Sequence, residues 1–323
     1  SRRFCIPNSS STGLAGSCWS RHRIFPFHLE NRGRCIASFD SEVSGRRVPY
    51  FTMVLSSRLR RTMLRGVSYM AGGVTVLGVG QAAKLRWQYE CPDEPVGRQN
   101  GHAGAAFQGK PLRLLFVGDS IAVGVGAKVA APLQAACAAR LANLQRRPVE
   151  WRTIAANGAD VRELNQLLDA PGAPSGEAQV VDLGFDIAVV LCGVNDGKKF
   201  FVGRWPSHFR EDLTTLCNTL RKAAPHGVIT VPNLLGHVEA PLFQLWPMCH
   251  LVDVLFDQFE SQKMALAEKG AVRCWLLEPG ARKVLSTDQK LWSGDGIHPS
   301  AEGYQKIGEW LATHLAQMRP HVE

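Results

Sequence analysis

Four short motifs between residues 118 and 298 hold the residue types that acyl transfer requires. Such a reaction needs a nucleophilic hydroxyl, an imidazole base, a carboxylate that orients the base, and N–H groups that stabilise an oxyanion. Each motif alone also fits an ordinary turn or helix cap, so the prediction depends on the four together. The motifs are Gly118-Asp119-Ser120, Asn157-Gly158, Gly193-Val194-Asn195-Asp196 and Asp295-Gly296-Ile297-His298.

Strand-like segments precede these motifs. The apolar run 112–117 has the length and composition of a buried parallel strand, and it ends at a glycine. Ser120 is therefore expected just beyond the carboxyl end of a strand, where open α/β sheets bind ligands. Since the carboxyl ends of parallel strands share one edge, motifs far apart in sequence can converge there. The predicted strands are 112–117, 149–156, 187–192, 228–231 and 272–277.

Segments with helical spacing of apolar residues alternate with these strands. Pro299 is suited to the first turn of the last one. Alternation of this kind indicates βαβ units, hence an α/β fold with a largely parallel sheet covered on both faces. The domain is expected to start near Pro111. The predicted helices are 127–144, 161–168, 209–220, 251–269 and 304–315.

Charge and motif content exclude several other classes of protein. The net charge of +9 comes from residues 1–90, which hold 14 basic and 4 acidic residues, whereas the rest holds 23 and 24. A nucleic-acid surface spread over the fold is therefore not expected. Gly124-x-Gly126 lacks the third glycine of a dinucleotide site, and no phosphate-binding loop motif occurs. Without C-x-x-C pairs, neither a metal nor a cofactor is expected, and Cys137, Cys192 and Cys217 are predicted to be buried free thiols.

The first 110 residues differ from the rest. Residues 1–52 are expected to be a disordered extension or upstream sequence that is not translated in the native protein. The segment 53–90, basic at its start and apolar over 66–83, is typical of a signal anchor, signal peptide or organellar presequence, so membrane or organelle targeting through 53–83 is expected. Five glycines make a membrane-spanning helix marginal. Residues 91–110, rich in Pro and Gly, are predicted to be a linker.

The four motifs, in this order, resemble the conserved blocks of the SGNH hydrolases, the GDSL lipase/esterase superfamily. The resemblance covers roughly residues 111–320, and Ile121 replaces the leucine of the first block. It implies a three-layer α/β/α flavodoxin-like fold with a five-stranded parallel sheet. The α/β-hydrolase fold is disfavoured, because there the serine comes later and the acid is well separated from the histidine.

The resemblance also implies the role of each site residue. Ser120 would be the nucleophile, His298 the base, and Asp295, sharing a helical turn with His298, the group that orients it. The oxyanion hole would consist of the N–H groups of Ser120 and Gly158 and the side-chain amide of Asn195. The supporting residues would be Gly118, Asp119, Gly193 and Asp196.

The predicted function is hydrolysis of small-molecule or lipid acyl esters. The loop 197–207 and the apolar residues between 234 and 246 could wall an acyl pocket, and Lys198, Lys199 and Arg204 could meet an anion at its rim. This favours lipid acyl esters slightly. A carbohydrate O-acetylesterase, a thioesterase and a catalytically silent, membrane-tethered binding module remain alternatives, and the oligomeric state stays open.

Overall fold

The computed structural model of the chain describes residues 57–169, 184–233, 239–276 and 278–318. The chain divides after Ala71 into two units. Of the first unit, the described residues form the beginning of helix α1 (Ser57–Gln88). The second unit holds the remainder of α1 and all other elements. The predicted extension 1–52 lies outside the described residues.

A six-stranded sheet forms the centre of the second unit, with the strand order β1-β3-β2-β4-β5-β6. Strands β2 to β6 are parallel, and β1 pairs antiparallel with β3 at the edge. The strands are β1 (Asn100–Ala103), β2 (Leu112–Gly118), β3 (Val149–Ala155), β4 (Ile187–Leu191), β5 (Val228–Pro232) and β6 (Arg273–Trp275).

The five parallel strands follow the order 2-1-3-4-5 along the chain, which is the flavodoxin-like arrangement, so the predicted α/β fold is confirmed. The predicted strand number was one too low. The additional strand β1 lies within 91–110, the segment predicted to be a linker. It pairs through main-chain hydrogen bonds at the sheet edge, with Gly101 opposite Trp151, and needs no apolar pattern for that.

Nine helices accompany the sheet in the described part of the chain. One segment differs from its prediction. The predicted helix 127–144 starts later, at Pro132. Before it the chain forms a single helical turn at 120–123 and leaves the helix at Gly124 and Gly126, both with φ of 94°. Besides α1 the helices are α2 (Ser120–Val123), α3 (Pro132–Gln145), α4 (Val161–Asp169), α5 (Val194–Lys198), α6 (Pro206–Ala223), α7 (Met248–Glu268), α8 (Pro279–Thr287) and α9 (Ala301–Leu315).

Two apolar layers cover the two faces of the sheet. Because side chains alternate along a strand, Leu114 and Phe116 of β2 pack with α3 and α9 on one face. Leu115 and Val117 pack with α4, α6 and α7 on the other face. The result is the predicted three-layer α/β/α arrangement.

Helix α1 contains the apolar run 66–83. Among the helices of the described residues, none combines the length and the apolarity required to cross a membrane. Targeting through 53–83 stays a prediction.

Candidate active site

Ser120 is the first residue of α2, and one residue, Asp119, separates it from the end of β2. Asp119 caps this helix, since its Oδ1 accepts a hydrogen bond from the N–H of Ile121 at 3.0 Å. Gly118 permits the close approach of β4, because a Cβ at this position would lie 2.7 Å from the carbonyl oxygen of Leu191. The strand-to-helix turn thus holds the Ser120 side chain, 7% exposed, at the carboxyl edge of the sheet.

Asp295 and His298 lie in a loop before α9, and not in the predicted helical turn. Pro299 also precedes α9, whose N-cap is Ser300. The loop is shaped by the Asp295 side chain, whose Oδ1 accepts hydrogen bonds from the N–H groups of Ile297 and His298, each at 3.0 Å. The Ser293 hydroxyl donates to the same oxygen. These local bonds replace the helical ones that the three-residue spacing suggested.

The three side chains form a continuous hydrogen-bonded chain. His298 Nε2 lies 2.9 Å from Ser120 Oγ, and His298 Nδ1 lies 2.6 Å from Asp295 Oδ2. Burial would raise the pKa of Asp295, but hydrogen bonds from His298, Ser293 and the two loop amides outweigh it and hold the pKa well below its usual range. An ionised carboxylate only accepts, so Nδ1 carries the ring proton and the Nε2 lone pair faces the serine.

Two backbone amides were predicted to belong to the oxyanion hole, those of Ser120 and Gly158. Within the described residues, neither the Ser120 N–H nor the Gly158 N–H has a protein acceptor. Gly158 has a φ of 75°, a conformation that favours glycine. It lies in the turn between β3 and α4.

Asn195 contributes a buried side-chain amide from the first turn of α5. Gly193 precedes it with a φ of 116°, which turns the chain from β4 into this short helix. Asn195 Nδ2 donates to the carbonyl of Ala159 at 3.0 Å and, with a longer contact of 3.3 Å, to Asp119 Oδ2. Burial raises the pKa of Asp119. Asp119 therefore braces both the serine turn and the asparagine.

Asp196 braces the loop that follows Asn195. Its Oδ1 accepts hydrogen bonds from Arg204 at 2.9 and 2.7 Å, and its Oδ2 accepts the Val161 N–H at 3.3 Å. These contacts join α5 to the start of α4. Asp196 supports the site without facing the serine chain.

Two of the three cations predicted at an anion-binding rim are engaged elsewhere. Lys199 bridges Asp160 and Glu163 at 2.9 and 2.7 Å. Arg204 is buried between Asp196 and Asp212. The prediction was wrong for both, because the sequence displays charges but not the partners that neutralise them.

A cavity of about 780 Å³ lies beside Asp295. Of the residues predicted to wall an acyl pocket, Leu242 lines it, whereas Phe200 packs edge-on against Phe201 and Trp205 instead. Leu234 and Leu235 lie outside the described residues. The other walls of the cavity combine polar and apolar side chains. They include Gln88, Tyr89, Glu90, Cys91, Asp93 and Lys128.

Sequence reasoning missed two residues of this site. Ser293 hydrogen-bonds the Asp295 carboxylate, and a hydroxyl two residues before the acid was a signal available in the sequence. The Tyr89 hydroxyl donates to Asp295 Oδ2 at 3.0 Å. A lone tyrosine 206 residues before its partner carries no such signal.

The GDSL-like lipase/acylhydrolase family model matches residues 116–306. No curated protein matches the chain. Among solved structures, a lipase from a goat rumen metagenome is 19% identical, with a TM-score of 0.48, and the match covers 64% of this chain and 97% of that one. An acetylxylan esterase from Geobacillus stearothermophilus is 17% identical, with a TM-score of 0.46 and coverages of 65% and 96%. A family two carbohydrate esterase from Clostridium thermocellum is 17% identical, with a TM-score of 0.47 and coverages of 64% and 65%.

The family match spans more than half of the chain, and the protein therefore belongs to the GDSL-like lipase/acylhydrolase family. It is an esterase of the SGNH class, as the order of the four motifs predicted.

Proposed function

We propose that this esterase cleaves carboxylic esters through an acyl-enzyme formed on Ser120. The observation that carries the proposal is the chain of contacts from Ser120 Oγ to His298 Nε2, 2.9 Å, and from His298 Nδ1 to Asp295 Oδ2, 2.6 Å. Both distances lie within the range for proton transfer and orientation by hydrogen bonds.

In the first half-reaction Ser120 Oγ attacks the ester carbonyl carbon while His298 Nε2 takes the hydroxyl proton. The tetrahedral intermediate then collapses, and the imidazolium returns the proton to the leaving alkoxide. In the second half-reaction a water molecule repeats the attack on the acyl-enzyme, and Ser120 leaves. Asp295 stabilises the imidazolium in both half-reactions.

Three donors are proposed to hold the oxyanion: the N–H groups of Ser120 and Gly158 and the Nδ2 of Asn195. The bond from Asn195 to Ala159 fixes the amide plane. Its longer bond to Asp119, 3.3 Å, is the weaker of the two, so this hydrogen is the one available to the oxyanion. The two backbone N–H groups, which have no protein acceptor among the described residues, stabilise the developing charge without reorganising, whereas Asn195 exchanges its bond to Asp119 for one to the oxyanion.

The side chains that line the cavity beside Asp295 help to choose between substrate classes. Of these, Gln88, Glu90, Asp93 and Lys128 are polar, which favours an ester with a polar part over a purely aliphatic one. A carbohydrate O-acetylesterase is therefore the second candidate. If medium-chain esters were hydrolysed much faster than acetylated sugars, lipid acyl esters would be favoured as substrates instead.

The test compares the protein with its Ser120→Ala variant on p-nitrophenyl esters of two to sixteen carbons and on acetylated sugars. Turnover and labelling by a fluorophosphonate probe are expected in the native protein and absent from the variant. Ser286→Ala is the matched control, because the Ser286 hydroxyl is exposed and donates to the carbonyl of Lys283 in its own helix. Undiminished turnover in folded Ser120→Ala protein would refute the mechanism.

A further inference from the structure

Tyr89 follows helix α1 and reaches the active site from outside the region that the family model matches. Its N–H donates to the carbonyl of Leu85 at 2.7 Å, which continues the helical turn. Its hydroxyl lies 3.0 Å from Asp295 Oδ2 and 3.4 Å from His298 Nδ1. The phenol thus touches both members of the acid–base pair.

Contacts on both sides hold the segment 72–93 against the hydrolase domain. Gly78 is buried against Leu251 of α7, with so little space that a Cβ would collide with the leucine side chain. Gln81 Nε2 donates to the carbonyl of Trp246 at 3.0 Å. Past Tyr89, Cys91 Sγ accepts a hydrogen bond from Asn157 Nδ2 at 3.6 Å, one residue before the oxyanion glycine. The segment therefore passes from the acid–base pair to the oxyanion turn.

The direction of the Tyr89 hydrogen bond follows from the charges. The Asp295 carboxylate only accepts, so the phenol donates to it. Burial, together with the negative charge of Asp295, raises the pKa of Tyr89, which keeps the phenol protonated. Because the O–H bond is directed at Oδ2, and Oδ2 is the oxygen that His298 Nδ1 contacts, the positive end of the hydroxyl dipole lies towards the imidazole.

We propose that Tyr89 is a positioning residue of the catalytic machinery: it shares Asp295 Oδ2 with His298 and thereby weakens the hold of the carboxylate on the imidazolium proton. The proposal rests on the proposed function, because it assigns Tyr89 an effect on His298 acting as a base. A donor to the carboxylate draws negative charge away from the ring. The imidazolium that forms during the reaction is then stabilised less by Asp295.

Other titratable groups also act on Tyr89, Asp295 and His298, and the variants in the test leave these groups unchanged. Asp295 comes from the loop of His298 itself, and Asp119 acts on the ring from the turn after β2. Cys91 acts on the phenol from its own segment, and Tyr304 of α9 acts on the phenol and on Asp295. Lys198 and Lys263 act on Asp119 from α5 and α7. The cavity beside Asp295 adds Glu90, Asp93 and Lys128.

The test measures kcat/KM against pH for the full chain and its Tyr89→Phe variant, with p-nitrophenyl acetate as substrate. Phenylalanine keeps the ring and removes the donor. We expect the acid limb of the profile to move to higher pH by about half to one unit. A shift of this size corresponds to the part of the free energy of a charge-assisted hydrogen bond that reaches the imidazole through the carboxylate. Incorporation of 3-fluorotyrosine at position 89, a stronger donor of the same size, should move it to lower pH.

Tyr69→Phe is the matched control, because Tyr69 lies in α1, the helix that precedes Tyr89, and is 78% exposed. Its acid limb should coincide with that of the native protein. A Tyr89→Phe profile that changes only in KM, or a fluorotyrosine protein without the opposite shift, would overturn the proposal and leave Tyr89 a wall residue. Activity lost in Ser120→Ala with no shift in Tyr89→Phe would refute this inference alone. Activity retained in Ser120→Ala would refute the proposed function.

Discussion

Replacing Asp295 by asparagine should reverse the ring tautomer of His298 with almost no change in shape. Asp295 Oδ1 faces three donors, the Ser293 hydroxyl and the N–H groups of Ile297 and His298. The two backbone donors cannot become acceptors, so the carbonyl oxygen of an asparagine must occupy the Oδ1 position. Its NH₂ group then occupies the Oδ2 position, where it faces His298 Nδ1 and the Tyr89 oxygen.

A donor opposite His298 Nδ1 forces that nitrogen to accept, and the ring proton moves to Nε2. Nε2 then donates to Ser120 Oγ and cannot take its proton. We expect kcat to fall by about 10⁴, or roughly 5 kcal/mol of barrier, which is the typical cost of a triad aspartate-to-asparagine change that reverses the tautomer. Part of the activity should return at high pH.

The assay is kcat and kcat/KM for p-nitrophenyl acetate between pH 5 and 10, with thermal unfolding to verify the fold. Asp288→Asn is the matched control, since this aspartate accepts one N–H, from Lys290, away from the serine chain. The control should keep native rates. If kcat of Asp295→Asn stayed within about tenfold of the native value at pH 7, the tautomer argument would be wrong.

Two further changes test the oxyanion site and the packing of α9. Asn195→Ala should lower kcat by about 10²–10³, roughly 3–4 kcal/mol, with little change in KM, because one oxyanion donor is lost; a loss below about fivefold in steady-state assays would contradict that role. Burial lowers the pKa of His314, which stacks on Trp275 with ring centroids 5.6 Å apart. The uncharged ring thus stabilises the fold above about pH 6.5, and this contribution is lost as the pH falls below that value. His314→Phe should therefore show a smaller drop in Tm from pH 7 to pH 5 than the native protein, and equal drops would count against the argument.

The parallel strands β2, β4 and β5 were predictable because they are buried on both faces. Runs such as 187–191 are continuously apolar, and a glycine or polar turn follows, so the pattern needs no knowledge of neighbours. Strand β1 was not predictable. Its residues Asn100–Ala103 have no apolar alternation, and they form a strand only because β3 offers an unpaired edge.

Among the helices, too, some boundaries were predictable from the sequence and others were not. Helix α6 contains the predicted stripe at Phe209, Leu213 and Leu220, because its amphipathic spacing is local information. The segment 127–144 is rich in helix-forming residues from its first position, yet the chain stays out of the helix until Pro132. Ala131 has a φ of 52°, in the left-handed region, and Gly126 before it packs against the carbonyl oxygen of Pro299, a contact that depends on the tertiary structure.

The sequence by itself determined which residues could do chemistry, since motif order, together with strand ends, placed Ser120, Asn195 and His298 at one edge of the sheet. Only the tertiary structure decided the distances, because Ser120 and His298 meet across 178 residues. It also decided the partners of the charges, for ion pairs such as Arg204 with Asp196 depend on which loops meet. Tyr89 is the clearest case: its hydroxyl reaches Asp295 because the segment after α1 packs on the domain, and no local pattern encodes that contact.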